Sequence, residues 1–170
     1  EIDEDAYEQC VENFEGSNWA DRLFCYHASL EEFVAEIDDK YDLIVSNPPF
    51  YSEIVPSGNE SRDTARQNQS LPFEVLLNGV VQLLAENGTF STIIPFKEEE
   101  SFLKLASSIN LCPKRIMRIK GNPTSEIKRS LLDLQIGKPA VEIENLTIES
   151  ERHQYTHEYI DLTKEYYLKM

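Results

Sequence analysis

The stretch Tyr41-Asp42-Leu43-Ile44-Val45-Ser46-Asn47-Pro48-Pro49-Phe50-Tyr51 decides the fold. Leu43, Ile44 and Val45 are consecutive apolar residues, which predicts a central parallel strand covered on both faces. Pro48 and Pro49 have no N–H to give a ladder, so the strand ends there. Asn47 precedes a proline and is pushed towards extended geometry. The product is a stiff loop at the carboxyl end of a strand, which is where open α/β sheets bind ligands.

The loop has a specific chemical capacity. An exocyclic amine on a base or an amide is a poor nucleophile because its lone pair is delocalised. It becomes reactive when acceptors grip both N–H groups and hold the nitrogen towards tetrahedral geometry. Asn47 offers a side-chain carbonyl and Pro48 a backbone carbonyl, since proline keeps its acceptor while losing its donor. Phe50 offers a flat apolar face on which a planar ring can stack. The plainer alternative is a turn with an aromatic plug.

Outward from this loop, the patterning alternates strands and helices. Asp5 to Glu15 carries Ala6, Cys10 and Phe14 on one helical stripe, with Val11 beside them. Gly16-Ser17-Asn18 breaks that helix, Trp19 reads as a packing residue at the turn, and Arg22 to His27 reads as a short strand. Ser29-Leu30-Glu31-Glu32 is a capping box opening a helix to Asp39. Beyond the central loop, 51–70 is polar and without period; a loop of that length is usually functional or disordered. Ser70 caps a helix whose stripe of Phe73, Leu76, Leu77, Val80, Val81 and Leu84 runs to about Glu86, ended by Asn87-Gly88. Thr89 to Ile94 is a buried strand, and Glu98 to Ile109 an amphipathic helix. Arg115 to Ile119 and Ser130 to Ile136 pair as antiparallel strands, Ala140 to Glu149 adds an outer one, and Ile160 to Leu168 is a closing helix. Tyr159, Tyr166 and Tyr167 read as core packing. The order predicts an α/β fold with a mostly parallel sheet closed by an antiparallel strand pair.

Composition narrows the classes. The 170 residues suit one domain, and no apolar run reaches membrane-spanning length. Cys10, Cys25 and Cys112 are widely spaced and read as buried, reduced thiols of a cytoplasmic protein. With His27, His153 and His157 they form no metal-spaced set, so no metal is expected. A net charge of −15 argues against a generic nucleic-acid binder. Residues 1–40 hold thirteen acids and two bases, whereas residues 112–129 hold Lys114, Arg115, Arg118, Lys120, Lys128 and Arg129 against Glu126 alone. That basic stretch reads either as a phosphate-backbone contact or as charged strand edges that block aggregation.

Asn47-Pro48-Pro49-Phe50 resembles the catalytic Asn/Asp/Ser-Pro-Pro-Tyr/Phe motif of S-adenosylmethionine-dependent amino-methyltransferases. The surroundings are similar to the bacterial family that methylates N6 of adenine-37 in a valine tRNA. The matching pieces are Glu1-Ile2-Asp3 with Ala6 and Asn13, Ser17-Asn18-Trp19, Asp21-Arg22, Ala65-Arg66, Gly88 to Pro95, Lys128-Arg129, Tyr155-Thr156 and Tyr166-Tyr167-Leu168. The resemblance implies a Rossmann-like class I methyltransferase sheet, S-adenosylmethionine as cofactor and tRNA as substrate. It implies catalytic roles for Asn47, Pro48, Pro49 and Phe50. It assigns cofactor contacts to Glu1 at the ribose, to Ile2 against the adenine, to Ser29 and Leu30, and to Asn47. Where the family commonly has an aspartate, this chain has Ser29. Arg62 and Arg66, in the loop after the motif, are candidate RNA contacts. The first strand and Gly-rich cofactor turn of such a fold have no counterpart here, since the six glycines are scattered at positions 16, 58, 79, 88, 121 and 137. The chain is therefore expected to be the carboxyl-terminal portion of one methyltransferase domain. Guanine-N2 methylation of rRNA and glutamine-N5 methylation of a protein share the motif. A non-catalytic RNA-binding module is the alternative from another class.

Overall fold

The computed structural model describes residues 1–48 and 71–168. The chain divides into two compact units, Glu1–Lys40 and Tyr41–Met170.

In the first unit, helix α1 spans Glu4–Glu15 and Asp3 caps it by accepting from the Ala6 amide. Glu4 and Asp5 in its first turn favour the positive end of the helix. Helix α2, Leu30–Glu36, has the full capping box: Ser29 Oγ accepts from Glu32 N, and Glu32 accepts from Ser29 N at 2.8 Å. The strand expected at Arg22–His27 does not form. Two backbone hydrogen bonds hold the stretch without a ladder, Glu1 N donating to the Tyr26 carbonyl and Ala28 N to the Glu1 carbonyl. Tyr7 stacks on His27 at 5.0 Å and Tyr26 meets Phe33 edge-on. Trp19, expected to pack at its turn, is 57 % exposed.

In the second unit, five strands form one sheet: β1 (Tyr41–Ser46), β2 (Leu84–Pro95), β3 (Leu111–Lys120), β4 (Ile127–Ile136) and β5 (Glu142–Thr147). Their order is β1-β2-β4-β3-β5. β1 runs parallel to β2, and β3 to β5, while β4 is antiparallel to both its neighbours. Four strands thus point one way, and the expected antiparallel pair closes the sheet with β4 inserted beside β2. Helices α3 (Phe73–Leu83) and α4 (Glu99–Ser108) follow the 3.6-residue stripes seen in the sequence. Leu76, Leu77, Val80 and Leu83 of α3 and Phe102 and Ala106 of α4 are buried. So are Phe90 and Ile94 of β2, and Leu132 and Leu134 of β4. Phe73 and Phe102 lock edge-to-face at 4.8 Å. A hairpin of β6 (Glu149–Glu151) and β7 (Gln154–Tyr155) and a short helix α5 (His157–Thr163) follow.

Several expectations are corrected. β1 is an edge strand of this sheet, and Leu43 and Val45 are 60 % and 71 % exposed, so its apolar run is not covered on both faces. α3 stops at Leu83, not Glu86, because Leu84 already pairs with Tyr41 in the ladder. Gly88 therefore sits inside β2, where a Cβ would come within 2.8 Å of the Tyr41 carbonyl; its role is close strand approach, not a helix stop. The final helix lies at His157–Thr163, and Tyr166 and Tyr167 are exposed rather than packed in a core. All three cysteines are free, yet half-buried rather than buried.

Candidate active site

Because β1, β2, β3 and β5 share one direction, their carboxyl ends share one edge of the sheet. Ser46-Asn47, Pro95-Phe96, Lys120 and Thr147 lie along it, and antiparallel β4 starts there at Ile127. Asn47 and Pro48 leave the sheet at this edge. Asn47 is exposed, and its side chain makes no hydrogen bond among the described residues; Pro48 is buried. Among the described residues the site thus holds an amide carbonyl without a partner, next to a buried proline. Pro49 and Phe50 lie outside the described residues, as do Arg62 and Arg66. Asn47 also borders a concavity of about 260 Å³, floored by Val45–Asn47, Ser91–Ile93 and Leu131–Asp133. On its floor Ser91 Oγ donates to Asp133 Oδ1 at 2.6 Å, tying β2 to β4 beside the loop.

A buried charged network lies at the same end of the sheet, and no sequence signal pointed to it. Glu99, the first residue of α4, is 6 % exposed. Arg118 of β3 donates to it through Nε and through Nη2, the latter at 2.6 Å. Ser130 of β4, fully buried, donates its hydroxyl to Glu99 Oε2. Burial opposes ionisation of Glu99, but the Arg118 and Ser130 hydrogen bonds and the Arg118 charge outweigh it, leaving the carboxyl below its usual range. The Glu99 bond raises the Arg118 pKa in turn. Phe96, in the 3-10 turn Phe96–Glu98, lies under the Arg118 guanidinium at 5.5 Å. Within Glu98-Glu99-Glu100 nothing distinguishes the buried acid from its neighbours.

Besides Arg118, the basic residues of 112–129 fall into two groups. Lys120, Lys128 and Arg129 gather at the Asn47 edge, where Lys120 pairs with Ile127 and Ile119 with Arg129 in the ladder. Among the described residues Lys128 has a loose partner, Glu126 at 3.9 Å, and both side chains are largely exposed. Lys114 and Arg115 lie roughly 15–20 Å back along β3, at about 3.3 Å per residue. Arg115 donates to Glu144 of β5 at 2.8 Å.

The cofactor candidates Glu1, Ile2, Ser29 and Leu30 all belong to the first unit. Glu1 Oε1 accepts from the Ile2 and Asp3 amides at 2.8 and 3.0 Å. Those bonds, the one from Asp3 foremost, hold its carboxyl below the usual range. An ionised, oriented carboxylate whose second oxygen takes no hydrogen bond among the described residues suits a pair of hydroxyl donors. Ser29 serves as the α2 cap and Leu30 opens that helix. Among the described residues no cluster of His, Cys, Asp and Glu is suited to hold a metal ion, and no helix is long and apolar enough to cross a membrane.

Comparison with solved structures places this architecture in a known class. A predicted O-methyltransferase of Agrobacterium tumefaciens superposes with a TM-score of 0.67 over 96 % of this chain and 74 % of its own, at 15 % identity. A putative rRNA-methylase of Clostridium thermocellum gives 0.53 over 79 % of this chain and 72 % of its own, at 16 % identity. The fold is that of a Rossmann-like class I methyltransferase. No family model matches the chain. Curated relatives are more specific. A tRNA1(Val) (adenine(37)-N6)-methyltransferase of Flavobacterium johnsoniae is 58 % identical over all of this chain and 73 % of its own length. The proteins of the same name from Christiangramia forsetii and Bacteroides fragilis are 53 % and 39 % identical, each over all of this chain and 72 % of their own length. The chain belongs to the tRNA1(Val) (adenine(37)-N6)-methyltransferase family.

Proposed function

We propose that this protein methylates N6 of an adenine in tRNA, position 37 of a valine tRNA as its relatives' names state, with S-adenosylmethionine as cofactor. The observation that carries the reading is the Asn47-Pro48 exit from β1. A side-chain carbonyl with no hydrogen bond among the described residues stands next to a buried proline, at the edge where four of the five strands have their carboxyl ends.

The residues divide the work. Asn47 Oδ1 and the Pro48 carbonyl each accept one N–H of the exocyclic amine, which localises its lone pair on nitrogen. Buried Pro48 fixes the acceptor geometry before substrate arrives. Phe50 stacks on the base once it leaves its helical stack. Glu1 accepts from the cofactor ribose, with Ile2, Ser29 and Leu30 lining its adenine. Bound S-adenosylmethionine supplies a methyl group activated by a sulfonium centre. Lys120, Lys128 and Arg129 meet the RNA backbone at the same edge, with Lys114, Arg115, Arg118, Arg62 and Arg66 as further candidates. We read the chain as part of one methyltransferase domain acting in the cytoplasm, where tRNA is found.

The experiment is methyl transfer by the intact enzyme to unmodified valine tRNA, ribosomal RNA and a release factor in parallel, with the modified nucleoside identified by mass. N6-methyladenosine in the tRNA alone is expected. Methylated guanine in rRNA, or methylated glutamine, would replace this reading with one of the motif's other chemistries.

A further inference from the structure

One exposed aromatic ring next to the Asn47 edge lies against a buried ion-pair network. Ser46 lies opposite Thr92, so Asn47 is level with Ile93, and Phe96 follows three residues later. That is roughly 10 Å at most along the strand direction. Phe96 is 36 % exposed. A single exposed phenylalanine is ordinary on a protein surface. This one is backed by the Arg118 guanidinium, 5.5 Å from its centroid, and Arg118 is held in turn by Glu99 and, through Glu99, by Ser130. Burying Glu99 carries a desolvation cost that an apolar residue would avoid. The guanidinium that Glu99 holds lies over the Phe96 ring at the rim of the site. Arg118 Nη1 makes no hydrogen bond among the described residues, and a third of the side chain remains exposed.

The geometry points to Phe96 as a stacking surface for a nucleobase flanking the target adenine, with Arg118 Nη1 turned to the RNA beside it. The inference rests on the tRNA-methylating reading above and adds a substrate-binding residue to it. An aromatic face takes any base, so Phe96 holds the strand while Asn47 selects the amine. Backing by a guanidinium paired with Glu99 keeps the ring in place without presenting a full free charge.

The test uses the intact enzyme and valine tRNA carrying 2-aminopurine, in separate preparations, on either side of the target adenine. Phe96→Ala is expected to raise KM for tRNA about tenfold, in the range of losing one base stack, and to abolish 2-aminopurine quenching. Cofactor affinity should not change. Phe96→Trp should restore both signals, whereas Phe96→Leu, which keeps apolar volume without a π-face, should restore neither. Unchanged KM and quenching in Phe96→Ala would overturn the inference while leaving the methylation reading intact. Full rescue by Phe96→Leu would also overturn it, since packing alone would then explain the residue. A wild-type enzyme that methylates no tRNA would remove both readings together.

Discussion

Glu99 shows what one residue's surroundings do to its chemistry. Removing it strands the Arg118 guanidinium and the buried Ser130 hydroxyl. Breaking a buried ion pair from one side costs about 3–5 kcal/mol. Arg118 is a third exposed, which puts Glu99→Ala near or below the lower end, about 2–3 kcal/mol in urea unfolding. The pH dependence has a definite sign. Glu99 is shifted below its ordinary value of 4.5, so its contribution is fully present above that pH and is lost as pH falls through the folded-state value. Stability curves between pH 5 and 2 should show this loss in the wild type and a smaller one in Glu99→Gln. None of it was legible in the sequence, because three consecutive glutamates share one local pattern and only the tertiary approach of β3 and β4 selects the middle one. Ser29 is the opposite case. Its cap depends on residues three apart, so it could be read directly, and Ser29→Ala should cost about 1 kcal/mol.

At the level of elements, periodicity carried most of the assignment. The stripe of α3 and the cores of β2, β3 and β4 lie where their patterns placed them, since each is long enough for the period to show. Misreadings cluster where a neighbour decides. Gly88 after Asn87 carries the local signature of a helix stop, but β1 draws the chain into the ladder at Leu84. Its Cβ would meet the Tyr41 carbonyl at 2.8 Å and Leu84 Cδ1 at 2.9 Å. Gly88→Ala should therefore destabilise by about 1–3 kcal/mol through strain between β1 and β2, checked by thermal unfolding. Exposure of Leu43 and Val45 was likewise invisible, because an apolar run states a preference for burial and not what covers it. The candidate site was legible where its residues are contiguous, at Asn47 and Pro48. Phe96, Arg118 and Ser130 come from three elements and meet only in the fold.

Across the whole molecule, charge and substrate class pull in opposite directions. A chain of net charge −15 attracts RNA only where cations gather. The ladder brings Lys120, Lys128 and Arg129 of β3 and β4 to the Asn47 edge, which is why the proposed RNA contact is placed there. The Lys128–Glu126 contact, at 3.9 Å between exposed groups, is too weak to withhold that lysine. Replacing Lys120 and Lys128 together by alanine should weaken tRNA binding and reduce the slope of log K against log salt by roughly 1–2, measured by filter binding across a salt series. The proposed chemistry at that edge rests on Asn47. The most direct measurement is single-turnover methylation of valine tRNA by the wild type and by Asn47→Ala, with cofactor affinity followed separately. N6-methyladenosine is expected from the wild type, with a loss of rate of at least about 10²-fold in Asn47→Ala, in the range for removing one preorganised hydrogen-bond partner, and unchanged cofactor affinity. An Asn47→Ala enzyme that still methylates adenine at the wild-type rate would contradict the proposed role of Asn47.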